Sequence, residues 1–202
     1  YVIEIFNYGG HMIVFKKNYF LIIENTRDLD LSNIKKGQKF IIIYRNKGKT
    51  EKISDLIKYR KECKLKQIKF IVANDLNLII KLKADGIYLS AHNLSFKQLN
   101  YKKLNFYTIG GAHNFKDIYI KKKQGCNYIL LSRLFKVSYK PKMNFLGINK
   151  FNFLTHKNNK ILIPLGGINI ENLNKLKIVD SFALASMTEI KKKPTNFISR
   201  LF

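Results

Sequence analysis

Gly166 and Gly167 close an apolar run and are followed by Ile168-Asn169, which opens a helix-like stretch. Glycines let main-chain N–H groups approach an anion, and a helix start adds a favourable partial charge. With Ser186 after the next apolar run, they match a phosphate site; a tight turn that needs glycine φ angles is the alternative. Arg45 and Lys47 alternate at the end of another run, so both could point into one mouth. Arginine is scarce here and suits bidentate phosphate contacts, whereas surface lysines are common. Asn74-Asp75 also ends a run, and its carboxylate would either bind Mg²⁺ or cap the next helix. His113 stands at a strand end before a helix, where an imidazole either transfers protons near neutral pH or makes a local hydrogen bond. His11, His92 and His156 have no supporting neighbours.

Eight short apolar runs must carry these residues: Tyr19–Ile23, Phe40–Tyr44, Phe70–Ala73, Ile87–Leu89, Phe106–Ile109, Tyr128–Leu131, Ile161–Leu165 and Phe182–Ala185. They are continuous rather than alternating, as in strands buried on both faces. Helix-period stretches lie between most of them. Ile53, Leu56, Ile57 and Arg60 lead toward Cys63, Phe115, Ile118 and Tyr119 start another, and Leu173 and Leu176 a third. Asn114 with Asp117, and Asn169 with Glu171 and Asn172, resemble capping boxes. The alternation predicts parallel strands joined by right-handed crossovers. Eight units fit a closed (β/α)8 barrel better than an open doubly wound sheet, which more often stops at five or six strands. Every candidate then falls at a strand's C-terminal end, where barrels place their active sites. Only Asp28 to Lys36 is free between the first two strands, so the first helix is expected to be stunted. The expected domains are an extension, residues 1–18, and a barrel, residues 19–202.

The 202 residues carry 38 Lys+Arg against 13 Asp+Glu, a formal net charge of +25. The excess is spread as lysine along the chain, and lysine, isoleucine and asparagine are abundant together, as expected of A/T-rich coding. A solvated lysine surface therefore accounts for the charge without a specific nucleic-acid partner, although salt-sensitive contact with polyanions is expected. Two cysteines, Cys63 and Cys126, make no disulfide framework and read as small core residues. No zinc spacing is present, no apolar run approaches the ~20 residues of a membrane span, and a reducing cytosol is the expected location.

Taken in order, several segments resemble the thiamine-phosphate synthase / TenI superfamily. They are Ile43-Tyr-Arg45-Asn-Lys47, Asn74-Asp75, Ala84-Asp-Gly-Ile-Tyr-Leu89, Ile109-Gly-Gly-Ala-His113-Asn114, Gly125-Cys-Asn-Tyr-Ile129, Leu146-Gly147, Pro164-Leu-Gly-Gly-Ile168 and Ala185-Ser186. No single piece is specific, but eight in register are. The resemblance runs from about Tyr19 to Ser186. It implies a synthase that joins an aminopyrimidine methyl diphosphate to a thiazole phosphate, releasing pyrophosphate and thiamine phosphate. A TenI-like alternative isomerises a thiazole carboxylate phosphate, with His113 as the matching histidine. A third alternative is a barrel that binds thiazole or thiamine phosphate without turnover.

Carried over by resemblance, Arg45, Lys47 and Lys140 hold the diphosphate, with Lys140 placed beside His113 as a catalytic candidate. Asn74 and Asp75 match an Asn-Asp pair whose aspartate binds Mg²⁺, and Gly166, Gly167 and Ser186 match the grip on the thiazole phosphate. Small phosphate and diphosphate substrates are thus the expected partners, and homo-oligomers are expected. Departures are specific. A glutamine expected two residues before Arg45 is Ile43, the second metal-binding aspartate is Asn93, and a serine two residues before His113 is Gly111. Asn93 keeps an oxygen but drops a charge, so Mg²⁺ is expected to bind more weakly. The loop Ser132 to Lys140 lacks the family's threonines.

Overall fold

A computed structural model describes residues 16–46, 48, 51–97, 99, 106–137, 144–187 and 198. Eight parallel strands close in sequence order, with β8 hydrogen-bonded to β1. They are β1 (Asn18–Ile23), β2 (Phe40–Tyr44), β3 (Lys69–Ala73), β4 (Gly86–Leu89), β5 (Tyr107–Ala112), β6 (Tyr128–Ser132), β7 (Leu162–Leu165) and β8 (Ala183–Ser186). The α-helices are α1 (Ile53–Leu65), α2 (Leu76–Leu82), α3 (Phe115–Lys123) and α4 (Ile148–Lys157). The expected barrel is therefore present. Residues 1–15 of the expected extension lie outside the described residues, Lys16 and Lys17 lead directly into β1, and Asn18 is its first residue.

Alternation along each strand divides the apolar residues between two cores. Phe20, Ile22, Ile41, Ile43, Ile71, Tyr88, Ile109, Leu130 and Ile163 fill the barrel interior. Tyr19, Leu21, Ile23, Phe40, Ile42, Phe70 and Val72 face outward under the crossovers. This two-sided burial explains why the strands read as unbroken apolar runs. Each such side chain contributes about 1.5–3 kcal/mol of burial free energy.

The crossovers depart from an idealised barrel. Three 3-10 turns, Thr26–Asp28, Leu31–Asn33 and Gly37–Lys39, replace a helix after β1, as the short spacing implies. A 3-10 segment, Ile170–Ile178, joins β7 to β8; its Asn169–Asn172 capping box forms, and Leu173 and Leu176 are buried. Two helix faces differ from expectation. In α1 the buried stripe is Leu56, Tyr59 and Cys63, and Ile57 is exposed. In α3 only Ile118 and Lys121 face the barrel, while Phe115 and Tyr119 lie on the solvent side. An apolar residue at helical spacing is not thereby inward-facing; the strand beneath sets the angle of the stripe.

Candidate functional site

Strand parity brings the site together. Ile43, Gly111 and Leu130 point inward near the barrel's C-terminal end, so Arg45, His113 and Ser132, two residues further on, point into its mouth. There they line a cleft of about 670 Å³ with Gly166, Gly167 and Ser186. Its charged lining is cationic, Arg45, Arg133 and Lys150, and no carboxylate lines it among the described residues. Such a cleft with low-dielectric walls concentrates anions.

The glycine pair is required by shape as well as by φ. Gly166 and Gly167 have φ of +90° and +73°. A Cβ on Gly167 would lie 2.5 Å from the Phe135 carbonyl oxygen. The chain after β6 therefore rests directly on the turn, tied to β7 by Leu134 N–H to Leu165 and Phe135 N–H to Gly166. Asn172 donates its side-chain amide to the Gly167 carbonyl at 2.6 Å, fixing the peptide from behind. The N–H groups of Gly167 and Ile168 donate to no described residue. Ser186 is 3% exposed, and its hydroxyl has no hydrogen-bond partner. Glycine geometry thus leaves amides and a hydroxyl unengaged at the cleft.

His113 is held from both sides. Its N–H donates to the Asp117 carboxylate at 2.8 Å, while Asn114 Oδ1 caps α3 through the Asp117 N–H. The expected capping box is therefore displaced by one residue, because Asp117 reaches back to His113 instead of Asn114. The ring Nδ1 lies 2.7 Å from Ser132 Oγ. Burial holds the imidazole below its ordinary value; Asp117 and a Ser132 main-chain contact oppose this, and His92 and Arg133 reinforce it. The His92 ring sits 6.3 Å from that of His113. Gly111 leaves room for a neighbour, since a Cβ there would collide with the Tyr88 hydroxyl. Burial pushes that phenol up, with Arg45 pulling it back.

The expected metal residues, Asp75 and Asn93, stand apart, and so does Asn74, expected to bind substrate. Asn74, Asp75 and Asn93 are not among the residues lining the cleft. Asp75 caps α2, its Oδ1 accepting from Leu78 N–H at 2.9 Å. Asn74, in the left-handed region at φ 59°, accepts from Ser90 N–H and Asn93 Nδ2 through its single amide oxygen. Asn93 Oδ1 accepts in turn from Ser95 N–H. Both amide oxygens are already engaged and only Asp75 brings charge, so this donor set does not fit a protein-built Mg²⁺ site. No group of three or more His, Cys, Asp or Glu suited to a metal occurs among the described residues. Of the two uses expected of Asp75, the contacts show the cap. Lys47 and Lys140 lie outside the described residues.

The sequence put Ser132 and Arg133 only in the loop that runs to Lys140 and marked neither with a role, and it set His92 aside. The inward parity of Leu130 was the available signal for Ser132. Nothing local marks His92, which comes near His113 only because β4 and β5 pair side by side. Cys63 and Cys126 are free and buried, and burial pushes each thiol to about 12, in line with inert core positions.

A family model described as thiamine monophosphate synthase matches residues 23–190. A thiamine-phosphate synthase from Prochlorococcus marinus subsp. pastoris is 32% identical over 185 residues, covering 87% of this chain and 52% of that protein. One from Flavobacterium johnsoniae is 31% identical over 145 residues, covering 65% and 66%. The chain thus spans about half the length of the Prochlorococcus relative. A solved thiamine phosphate pyrophosphorylase from Pyrococcus furiosus superposes with a TM-score of 0.71 at 14% identity, covering 92% of this chain and 93% of that one, a likeness of fold. No helix among the described residues is long and apolar enough to cross a membrane.

Proposed function

Since the chain belongs to the thiamine monophosphate synthase family, we propose that it is a transferase of thiamine biosynthesis that joins an aminopyrimidine methyl diphosphate to a thiazole phosphate. The carrying observation is a cleft, free of carboxylates among the described residues, that Arg45 lines together with the Gly166-Gly167 turn and the unpartnered Ser186 hydroxyl. The turn and Ser186 hold the thiazole phosphate, and Arg45, with Lys47 and Lys140, receives the diphosphate. The bond from the pyrimidine methylene carbon to the diphosphate oxygen breaks, and its electron pair leaves with pyrophosphate. The thiazole ring nitrogen supplies the pair for the new C–N bond, so no proton need be lost. Fixed cations in a cleft stabilise the departing charge more than solvent would. No step is routed through a metal, because Asp75 and Asn93 do not supply a site for one. A reducing, cytosolic setting belongs to the same reading.

A coupled assay with both substrates tests it: thiamine phosphate and pyrophosphate should appear in equal amounts. Absence of both at micromolar protein, with thiazole phosphate still bound, would instead support binding without turnover. The His113–Ser132 contact favours a second reading, a TenI-like isomerase in which the imidazole moves a proton on a thiazole carboxylate phosphate. Loss of isomerisation in His113→Gln, with phosphate binding intact, would select it.

A further inference from the structure

Arg133 is one of only five arginines in the chain. It follows β6, lines the cleft together with Gly166, Gly167 and Ser186, and has a buried Nη1 with no hydrogen-bond partner. Its main chain is fixed, with its carbonyl accepting from Leu146 N–H at 2.8 Å and the next residue, Leu134, donating to Leu165. The aliphatic stem lies across Gly166: a Cβ there would be 3.0 Å from Arg133 Cγ and 3.3 Å from its Cα and Cβ. Gly166 thus accommodates the arginine as well as the turn.

A buried donor without an acceptor is costly, more so when charged. A lysine could escape by losing its proton, but a guanidinium cannot. No carboxylate lines the cleft to compensate it among the described residues. The other buried side-chain polar atom without a partner in that lining is Ser186 Oγ, on β8 beyond the Gly166-Gly167 turn.

We infer that Arg133 is a direct ligand of the substrate's phosphate ester, closing over the Gly166-Gly167 turn opposite Ser186 and making phosphate recognition charge-assisted. This rests on the phosphate-cradle reading above and adds a residue to it. Planar guanidinium donors suit two phosphate oxygens at once, while the turn's amides and Ser186 approach the others. The cleft would then select a phosphate monoester over the corresponding alcohol mainly through Arg133.

The test is calorimetric binding of thiazole phosphate and of the dephosphorylated thiazole alcohol to wild type, Arg133→Gln and Arg133→Lys, with thermal midpoints recorded for each. Arg133→Gln should weaken the phosphate ester by roughly 10- to 100-fold and leave the alcohol unchanged, with Arg133→Lys between. Unchanged ester affinity in Arg133→Gln would overturn the inference while leaving the cradle standing. Equal weakening of both ligands would also overturn it, by showing that the arginine shapes the loop. A wild type that does not distinguish ester from alcohol would remove the cradle reading itself, and this inference with it.

Discussion

Ser132 Oγ lies 2.7 Å from His113 Nδ1, joining the ends of neighbouring strands β6 and β5 across the mouth of the barrel. A hydroxyl can donate to a neutral imidazole nitrogen, which leaves Nε2 protonated and able to act on a ligand. Burial, the largest influence on His113, disfavours the charged form. Its titration should therefore fall below the ordinary histidine value near 6.5. Between the folded and unfolded values the unfolded chain binds more protons, so this residue's contribution to stability rises with pH and is lost on acidification. NMR titration of the His113 ring should show the low midpoint, and a midpoint at or above 6.5 would contradict it. Any step using the neutral ring should begin to slow only as the pH approaches that lowered midpoint, where about half the rate is lost.

Gly111 and Tyr88 compete for the same space inside the barrel. Gly111→Ala should destabilise the fold by about 1–3 kcal/mol through overpacking against the phenol oxygen. Tyr88→Phe removes the atom in conflict, so the double variant should recover much of the loss. Denaturant unfolding of the two single variants and the double variant measures this. Strict additivity would show that the alanine is harmful for another reason.

The barrel was legible because its strands are buried on both faces and leave eight continuous apolar runs; seven match their strands to within a residue at each end. The exception is β5, which runs on through Gly110-Gly111-Ala112. Glycines read as a turn, yet here they admit Lys121 and Cys126 on one side and Tyr88 on the other. Arg45, His113, Gly166, Gly167 and Ser186 were legible as strand-end residues, and they share the cleft. What local sequence could not show was competition for Asn74, Asp75 and Asn93. Residues that suit a metal also suit caps and loop ties, and only the contacts distinguish these uses. Arg133 was hidden because its significance is a missing partner.

Lys121 is fully buried and donates its ammonium to the Asn93 carbonyl at 2.7 Å and to Gln124 Oε1 at 2.9 Å. Gln124 Nε2 grips the carbonyls of Asn93 and Ser95. Together they anchor the loop after β4 on α3. Lys121→Met keeps much of the volume but leaves these acceptors short of a donor. A loss of about 1–3 kcal/mol is expected, with faster amide exchange in residues 90–97. Unchanged exchange there would mean that Gln124 holds the loop alone.

Asn93 ties its side-chain amide to Asn74 Oδ1 at 2.9 Å in the loop beside Asp75. Asn93→Asp removes that donor, frees the Asn74 oxygen from one of its two hydrogen bonds, and adds a carboxylate. Mg²⁺ prefers one or two carboxylates with phosphate oxygens and water completing an octahedron. The wild type should thus bind Mg²⁺ weakly alone, and Asn93→Asp should tighten binding by roughly tenfold or more in the presence of pyrophosphate. Calorimetric titration of Mg²⁺ into each protein, with and without pyrophosphate, gives both numbers. Tight binding by the wild type alone would show that Asp75 leaves its capping position at α2, and Asp75→Asn would then abolish it. Equal weak binding by both would show that the two loops cannot bring their side chains onto one ion, whatever their charge.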